Sequence, residues 1–228
     1  MPSTVAAGEA GAAPARVTSR RARTRARLLE AAFDVFAANG FGHSTIEAVC
    51  EAAGYTRGAF YSNFTDLDEL FFALYDDRSA LIARQLTEAL AATEGGAGLT
   101  LAELTARVTR ELLLDRDWLL VKTEFLLHAA RRPGVARALA DHRETLRDVC
   151  ARRLRELSER GRPLPALLTD ADEAARAVIA LYDGVTVQLL LDGDLDAARA
   201  WLGRLLTAIL SPTEPSTAAS AATPTEDL

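Results

Sequence analysis

Six arginines stand at positions 16, 20, 21, 23, 25 and 27 of the segment RVTSRRARTRAR, with no carboxylate among them. Guanidinium groups at that density suit one chemistry above others, the neutralisation of phosphates. Some thirty residues on, AAGYTRGAFYSNF (52–64) gathers Thr56, Arg57, Gly58, Tyr61, Ser62 and Asn63. Hydroxyl, guanidinium and amide donors lie there beside a glycine that lets backbone come close, a set able to meet base edges and phosphates. Catalytic chemistry has no comparable set. The chain has no paired carboxylates, metal-ligand spacing or nucleophile–base constellation, and its three histidines are scattered. Cys50 and Cys150 lack ligand spacing to each other or to a histidine and are expected to be reduced, packed thiols. Neither an enzyme, a metal nor a cofactor is expected.

Charge is distributed to match. The chain of 228 residues carries a net −6, yet residues 1–61 hold seven arginines against five carboxylates, a balance of +2, leaving −8 for the remainder. A polyanion is therefore expected only at the N-terminal end. Both ends, MPSTVAAGEAGAAPA and SPTEPSTAASAATPTEDL, are poor in large apolar groups and read as disordered. The start lacks the basic and apolar pattern of a signal peptide, and no 18-residue apolar run able to cross a bilayer is evident, so a soluble, cytoplasmic protein with no membrane partner is expected.

The elements that must position these groups read as helices throughout. Leu29, Ala32, Phe33 and Phe36 recur on one helical face, and Asn39-Gly40 is expected to end that helix with a left-handed cap. Ser44-Thr45-Ile46-Glu47 reads as a capping box that starts a short second helix, burying Ile46, Val49 and Ala53 and stopping at Gly54. Thr56 caps a third helix from Arg57 to about Asn63, with Phe60 at its centre. Thr65 or Asp66 opens a long fourth helix that lasts until TEGGAG. Breakers then divide the chain into helices over about 100–114, 117–131, 133–160, 170–192 and 194–210. The fold is all-α. Two short helices joined by a glycine turn form a helix-turn-helix, whose second helix enters the DNA major groove. The expected domains are a disordered basic arm (1–19), the helix-turn-helix domain (20–65), a larger helical domain (66–211) and a disordered tail (212–228).

From about Arg23 to Tyr75 the chain resembles the N-terminal domain of TetR-family transcriptional regulators. The resemblance rests on LLEAAFDVFAANGF and STIEAVCEAAGYTRGAFYSNFTDLDELF, with Ala31, Phe36, Gly40, Phe41, Thr45, Ile46, Val49, Ala53, Gly54, Gly58, Tyr61, Phe64 and Leu70 at matching positions. It implies that Thr45 holds a phosphate and that Thr56, Arg57, Gly58 and Ser62 face base edges. Tyr61 and Asn63 would reach phosphates, and Arg57 is the candidate for bidentate contact with guanine. One position departs from the family pattern: Leu67 stands where a lysine is usual, among Asp66, Asp68 and Glu69. Arg20, Arg21, Arg23 and Arg25 are expected to supply the missing phosphate contacts.

The resemblance further implies a C-terminal domain that encloses an effector and pairs with a second copy through its last two helices, about 170–192 and 194–210. VIALYDGVTVQLLL is apolar nearly all round, Gly184 would permit close approach, and Trp201, Leu202, Leu205, Leu206 and Ile209 give the last helix a matching stripe. Candidate effector contacts are Phe72, Tyr75, Trp118, Lys122, Phe125, His128, Tyr182 and Gln188. Each aromatic could equally be ordinary core, and His128 could pair with Glu124 one turn back. The expected function is a dimeric repressor released from a palindromic operator in double-stranded DNA by a small hydrophobic or aromatic effector, with the fourth helix as lever. The rival is a constitutive DNA-binding or protein-interaction protein with a filled core.

Overall fold

The computed structural model describes residues 13–91, 99–112, 114–165 and 167–211. Among them are nine α-helices and no strand: α1 (Ala13–Asn39), α2 (Ile46–Ala53), α3 (Arg57–Tyr61), α4 (Leu67–Ala91), α5 (Leu101–Glu111), α6 (Arg116–Ala130), α7 (Pro133–Glu159), α8 (Ala171–Asp192) and α9 (Leu195–Leu210). The expectations for 1–12, for the TEGGAG break and for 212–228 lie outside the described residues. The expected arm is corrected in part, since Ala13 to Ser19 already belong to α1.

The chain forms two compact units, one of 1–80 with 115–142 and the other of 81–114 with 143–228. In the first, α1, α2, α3, the start of α4 and α6 enclose a core of Leu28, Phe36, Val49, Phe60, Leu70, Phe71, Trp118 and Phe125, each no more than 2% exposed. Its centre is aromatic. Phe71 stacks on Phe125 with ring centroids 3.6 Å apart, Trp118 lies 6.0 Å from Phe71, and Phe41 meets Phe125 edge-on at 4.8 Å.

Local chemistry sets the ends of these helices. Between α1 and α2 a single 3-10 turn covers Phe41–His43, which the helical periodicity did not reveal. Gly40 before it has φ 78° and ψ 149°, a positive-φ conformation but an extended one, so the expected left-handed cap is corrected. The expected capping box is corrected as well. Thr45, not Ser44, caps α2 by accepting from the amide of Ala48 at 3.1 Å, while the Ser44 hydroxyl donates to the Gly40 carbonyl at 2.8 Å. Glu47 is engaged elsewhere. The start of α4 uses both candidates: Asp66 accepts from the Glu69 amide at 2.8 Å, and Glu69 reaches back to the amide and hydroxyl of Thr65 at 2.7 and 2.8 Å. Those two bonds hold the Glu69 carboxyl below its ordinary pKa. Thr169, Asp170 and Glu173 repeat the arrangement at α8.

In the second unit α9 packs against both α5 and α8. The Thr105 and Thr207 hydroxyls meet at 2.6 Å, and a Cβ on Gly203 would lie 3.4 Å from Thr109 Oγ1, so small residues bring α5 and α9 together. The stripe expected on α9 is divided. Leu202 and Leu206 are buried within the unit and Leu205 and Ile209 half-buried, which leaves Trp201 exposed. The expectation that no segment could cross a bilayer is corrected for α8, which contains an 18-residue window of mean hydropathy 1.4. It also carries Asp183, paired with Arg143 of α7 at 2.6 Å.

Candidate nucleic-acid interface

The turn between α2 and α3 is made by one glycine in the left-handed region. Gly54 has φ 70° and ψ 33°, and its amide and that of Tyr55 return to the carbonyls of Glu51 (3.1 Å) and Cys50 (2.9 Å). Thr56 then caps α3, its Oγ1 accepting from the Ala59 amide at 3.3 Å. Phe60 is fully buried and pins α3 down, which leaves Arg57, Gly58, Tyr61 and Ser62 exposed. A Cβ at Gly58 would meet only Thr56 Oγ1, at 3.8 Å, so its backbone is open to close approach from outside.

Arg57 is held in a defined pose. Its Nη1 lies 2.7 Å from Glu47 Oε1, its Nη2 donates to the Tyr61 hydroxyl at 3.4 Å, and the guanidinium sits 5.8 Å from the Tyr61 ring centre. The Tyr61 hydrogen bond, and next the Glu47 charge, raise the Arg57 pKa above its ordinary value. Behind this face Cys50 is buried, and burial followed by Glu47 pushes its thiol pKa up.

The arginines of α1 join this surface directly. Arg21 Nη2 donates to the Ser62 carbonyl at 3.0 Å, and Arg25 lies 5.2 Å over the Phe64 ring. One open groove is lined by Ser19, Arg20, Arg21, Arg23 and Thr24 from α1 and by Gly54, Tyr55, Thr56, Ala59, Ser62 and Asn63 around α3. Arg23, Thr56, Ser62 and Asn63 are thus brought together, with Arg57, Gly58 and Tyr61 on the exposed turns of the same helix. Thr45 is exposed at the start of α2. The Asn63 amide is turned inward, donating to the Ala59 carbonyl at 2.8 Å and to Ser62 Oγ at 3.2 Å, so a phosphate contact requires it to rotate.

Sequence reasoning named Arg21 among the expected phosphate contacts but missed Glu47 as a part of this surface. The false capping box concealed it.

The expected effector contacts divide between the units. Phe72, Tyr75, Trp118, Lys122, Phe125 and His128 belong to the first, Tyr182 and Gln188 to the second. Tyr75, Trp118 and Phe125 are no more than 4% exposed, packed into the aromatic core. Phe72 stacks on His142 at 4.6 Å, and His142 Nδ1 lies 2.6 Å from Asp76. The expected His128–Glu124 pair is corrected. His128 Nδ1 faces Arg132 at 2.9 Å and Nε2 faces Asp68 at 2.9 Å. An arginine can only donate, so in this arrangement Nδ1 accepts, while Nε2 is close to the Asp68 carboxylate without forming a hydrogen bond to it. Glu124 instead accepts from the Phe41 amide at 2.7 Å.

None of the eight lines the partly open apolar cavity within the second unit. That cavity, about 80 Å³, is bounded by Leu86 of α4, Leu104 and Val108 of α5, Cys150 and Leu154 of α7 and Leu206 of α9, among others. Burial raises the Cys150 thiol to about 11, which makes it an inert part of the wall.

An all-helical chain that presents a short capped helix and an arginine-lined groove around a glycine turn is a helix-turn-helix DNA-binding regulator. Comparison with known proteins gives the family. Residues 28–74 match the family of bacterial regulatory proteins described as tetR family, and residues 101–211 match the BetI-type transcriptional repressor C-terminal family. The chain is 30% identical over 175 residues to the HTH-type transcriptional repressor Rv1474c of Mycobacterium tuberculosis, covering 75% of this chain and 80% of that one. It is 27% identical over 195 residues to the HTH-type transcriptional regulator UidR of Escherichia coli K12, covering 81% and 94%. The crystal structure of a transcriptional regulator from Rhodococcus sp. Rha1 shares the fold, with a TM-score of 0.61 and 23% identity over 82% of this chain and 95% of that one. The chain belongs to the TetR family of transcriptional regulators, which bind DNA and are not enzymes.

Proposed function

We propose that the chain is a repressor that binds a palindromic DNA operator as a homodimer and leaves it when a small, uncharged apolar effector enters the second unit. The observation that carries the DNA reading is the shared groove, in which α1 supplies cations for phosphates and α3 offers a polar face for bases. Arg23, Thr45, Tyr61 and Asn63 would contact the DNA backbone, and Thr56, Arg57, Gly58 and Ser62 the base edges. A dimer supplies two copies of α3 for two half-sites. The exposed apolar side of α8, with Val187 and Leu191, suits a second copy, so its hydropathy is accounted for without lipid.

The apolar cavity supports the effector reading by its chemistry, because its wall is almost wholly apolar. At about 80 Å³ it is smaller than the roughly 150 Å³ that admits benzene, so an effector must widen it. Since α4 lines the cavity through Leu86 and Leu90 and begins one short loop after α3, widening would bias the position of α3. Selection of bound fragments from genomic DNA, followed by anisotropy titration of the recovered duplex, tests the first part. A protein that binds no duplex at low salt refutes it. Thermal shift against a panel of hydrophobic compounds tests the second. If no compound raises the melting temperature while DNA binding persists, the constitutive reading replaces it.

A further inference from the structure

The second unit has a feature that the DNA and effector readings leave unused. An open groove of about 560 Å³ lies between α5 and α9. Its floor is made of small residues, Ala102, Ala106, Ala200 and Gly203, and its rim carries Arg110, Arg199 and Arg204 against one carboxylate, Asp196. Arg204 lies over the Trp201 ring at 5.1 Å. Among the described residues none pairs with Arg110, and the Arg199 Nε is shielded from water with no acceptor. In a chain of net charge −6, guanidinium groups left without carboxylates point to an acceptor from outside the unit.

The same unit displays the complementary element. Leu191, at the end of α8, is 80% exposed, the most open of the large apolar side chains described. Next to it, Asp192 is the last residue of α8, where the helix dipole disfavours an acid, and no described residue pairs with it. An exposed leucine beside an unpaired carboxylate matches a small-residue floor beside unpaired guanidiniums. Thr105 meets Thr207 and Thr109 approaches Gly203, so α5 runs antiparallel to α9 and its C-terminal end, which carries Arg110, points toward the end of α9 that follows Asp192, where Asp196 and Arg199 line the same groove.

We infer that the groove between α5 and α9 receives the α8–α9 elbow of a second copy of this chain, with the partner's Leu191 on the floor and the partner's Asp192 between Arg110 and Arg199. This rests on the dimeric reading and adds α5 to the two helices already expected at the interface. A twofold axis running alongside α9 makes the contact twice, as an isologous interface requires. Charge pairing at the rim fixes register, and the seated leucine provides the apolar anchor.

Sedimentation equilibrium of the full chain tests it, with Arg110→Glu, Asp192→Arg, the double variant and Leu191→Ser. Each single variant is expected to raise the dimer dissociation constant at least tenfold, and the double variant to return to within about threefold of the parent. Circular dichroism confirms the fold of each, and Asp192→Arg, on an exposed helix end, keeps the test decisive if Arg110→Glu misfolds. A parent protein that is monomeric throughout refutes the dimeric reading itself. A dimeric parent unaffected by the single variants, or a double variant no better than the singles, overturns the elbow-in-groove contact alone. So does a groove whose Arg110→Glu variant loses inorganic phosphate binding in calorimetry while the dimer stays intact, because the groove would then serve a small anion.

Discussion

Replacing Glu124 tests whether one carboxylate ties α6 to the helix-turn-helix. Its Oε2 accepts from the amide of Phe41, a residue 4% exposed, at 2.7 Å. Glu124→Ala leaves that amide without an acceptor, which costs about 1–3 kcal/mol for a buried donor. Glu124→Gln keeps an acceptor of the same reach but loses the charge, and a neutral bond is worth about half as much, so a loss of about 1 kcal/mol is expected. In a chain of this size 1 kcal/mol moves the melting temperature by roughly 2–4 °C, so a 2 kcal/mol loss in the alanine variant lowers it by roughly 4–8 °C and the glutamine variant by about half of that. Gly40→Ala should be worse than Glu124→Gln, because a Cβ there meets the same Oε2 at 2.9 Å on a backbone with φ 78°. The assay is thermal unfolding followed by circular dichroism, paired with anisotropy on operator DNA. The amide donor sits at the turn that leads into α2, so DNA affinity should fall with stability in the order parent, glutamine, alanine. An alanine variant that melts within 1 °C of the parent, or a glutamine variant as damaged as alanine, refutes the hydrogen-bond argument.

Arg57→Ala should reduce operator affinity by roughly 5- to 150-fold and relax the preference at one base pair, with little loss of thermal stability, because its partner Glu47 is as exposed as itself. An equal loss on operator and random duplex would make Arg57 a phosphate contact instead. Cys150 should resist a thiol reagent at pH 8, where a group titrating at about 11 is almost wholly protonated, and react at once in denaturant; rapid labelling of the native protein counts against its burial. Glu69, Glu103 and Glu173 all have carboxyl pKa values lowered by their caps, so their contribution is complete above the ordinary value of 4.5 and is lost as pH falls through the lowered values. Helical content measured on acid titration should therefore begin to fall only below pH 4.5, and Glu103→Gln should flatten part of that change.

The helices were legible because each is bounded by residues with strong backbone preferences. Gly54, Gly193 and Pro133 mark stops and starts that no packing could hide, and the reading placed α6, α8 and α9 within a residue or two. What failed were choices among neighbouring groups of similar chemistry. Ser44 and Thr45 can both cap α2, and only the path of the 3-10 turn decides that Ser44 folds back to Gly40. His128 and Glu124 share a helical face, yet each found a better partner at long range in Asp68 and in the Phe41 amide. The effector contacts were the least legible. An aromatic on an inward face reads the same whether it fills a core or lines a space, and Phe71 and Phe125, stacked at 3.6 Å, fill a core. The cavity wall is mostly Leu and Val, with Cys150, Thr105 and Arg153, and the aliphatic types carry no mark of a ligand in a sequence.

The acidic start of α4 looked ill suited to a surface that meets phosphates. Each acid has a structural task that accounts for it. Asp66 satisfies the Glu69 amide, Glu69 satisfies the amide and hydroxyl of Thr65, and Asp68 lies 2.9 Å from His128 Nε2. These carboxylates fix the loop between α3 and α4, so their charge is engaged by donors and the positive end of the helix. On the proposed reading the cations for DNA come from α1, whose arginines line the groove shared with α3. Arg21 grips the Ser62 carbonyl and Arg25 covers Phe64, so the arginine-bearing turns of α1 are fastened to the end of the recognition helix. On the proposed reading, Leu67 in the place of a lysine is one half of an exchange, in which phosphate contact moves from α4 to α1 while the hydrogen bonds of the α3–α4 loop are kept.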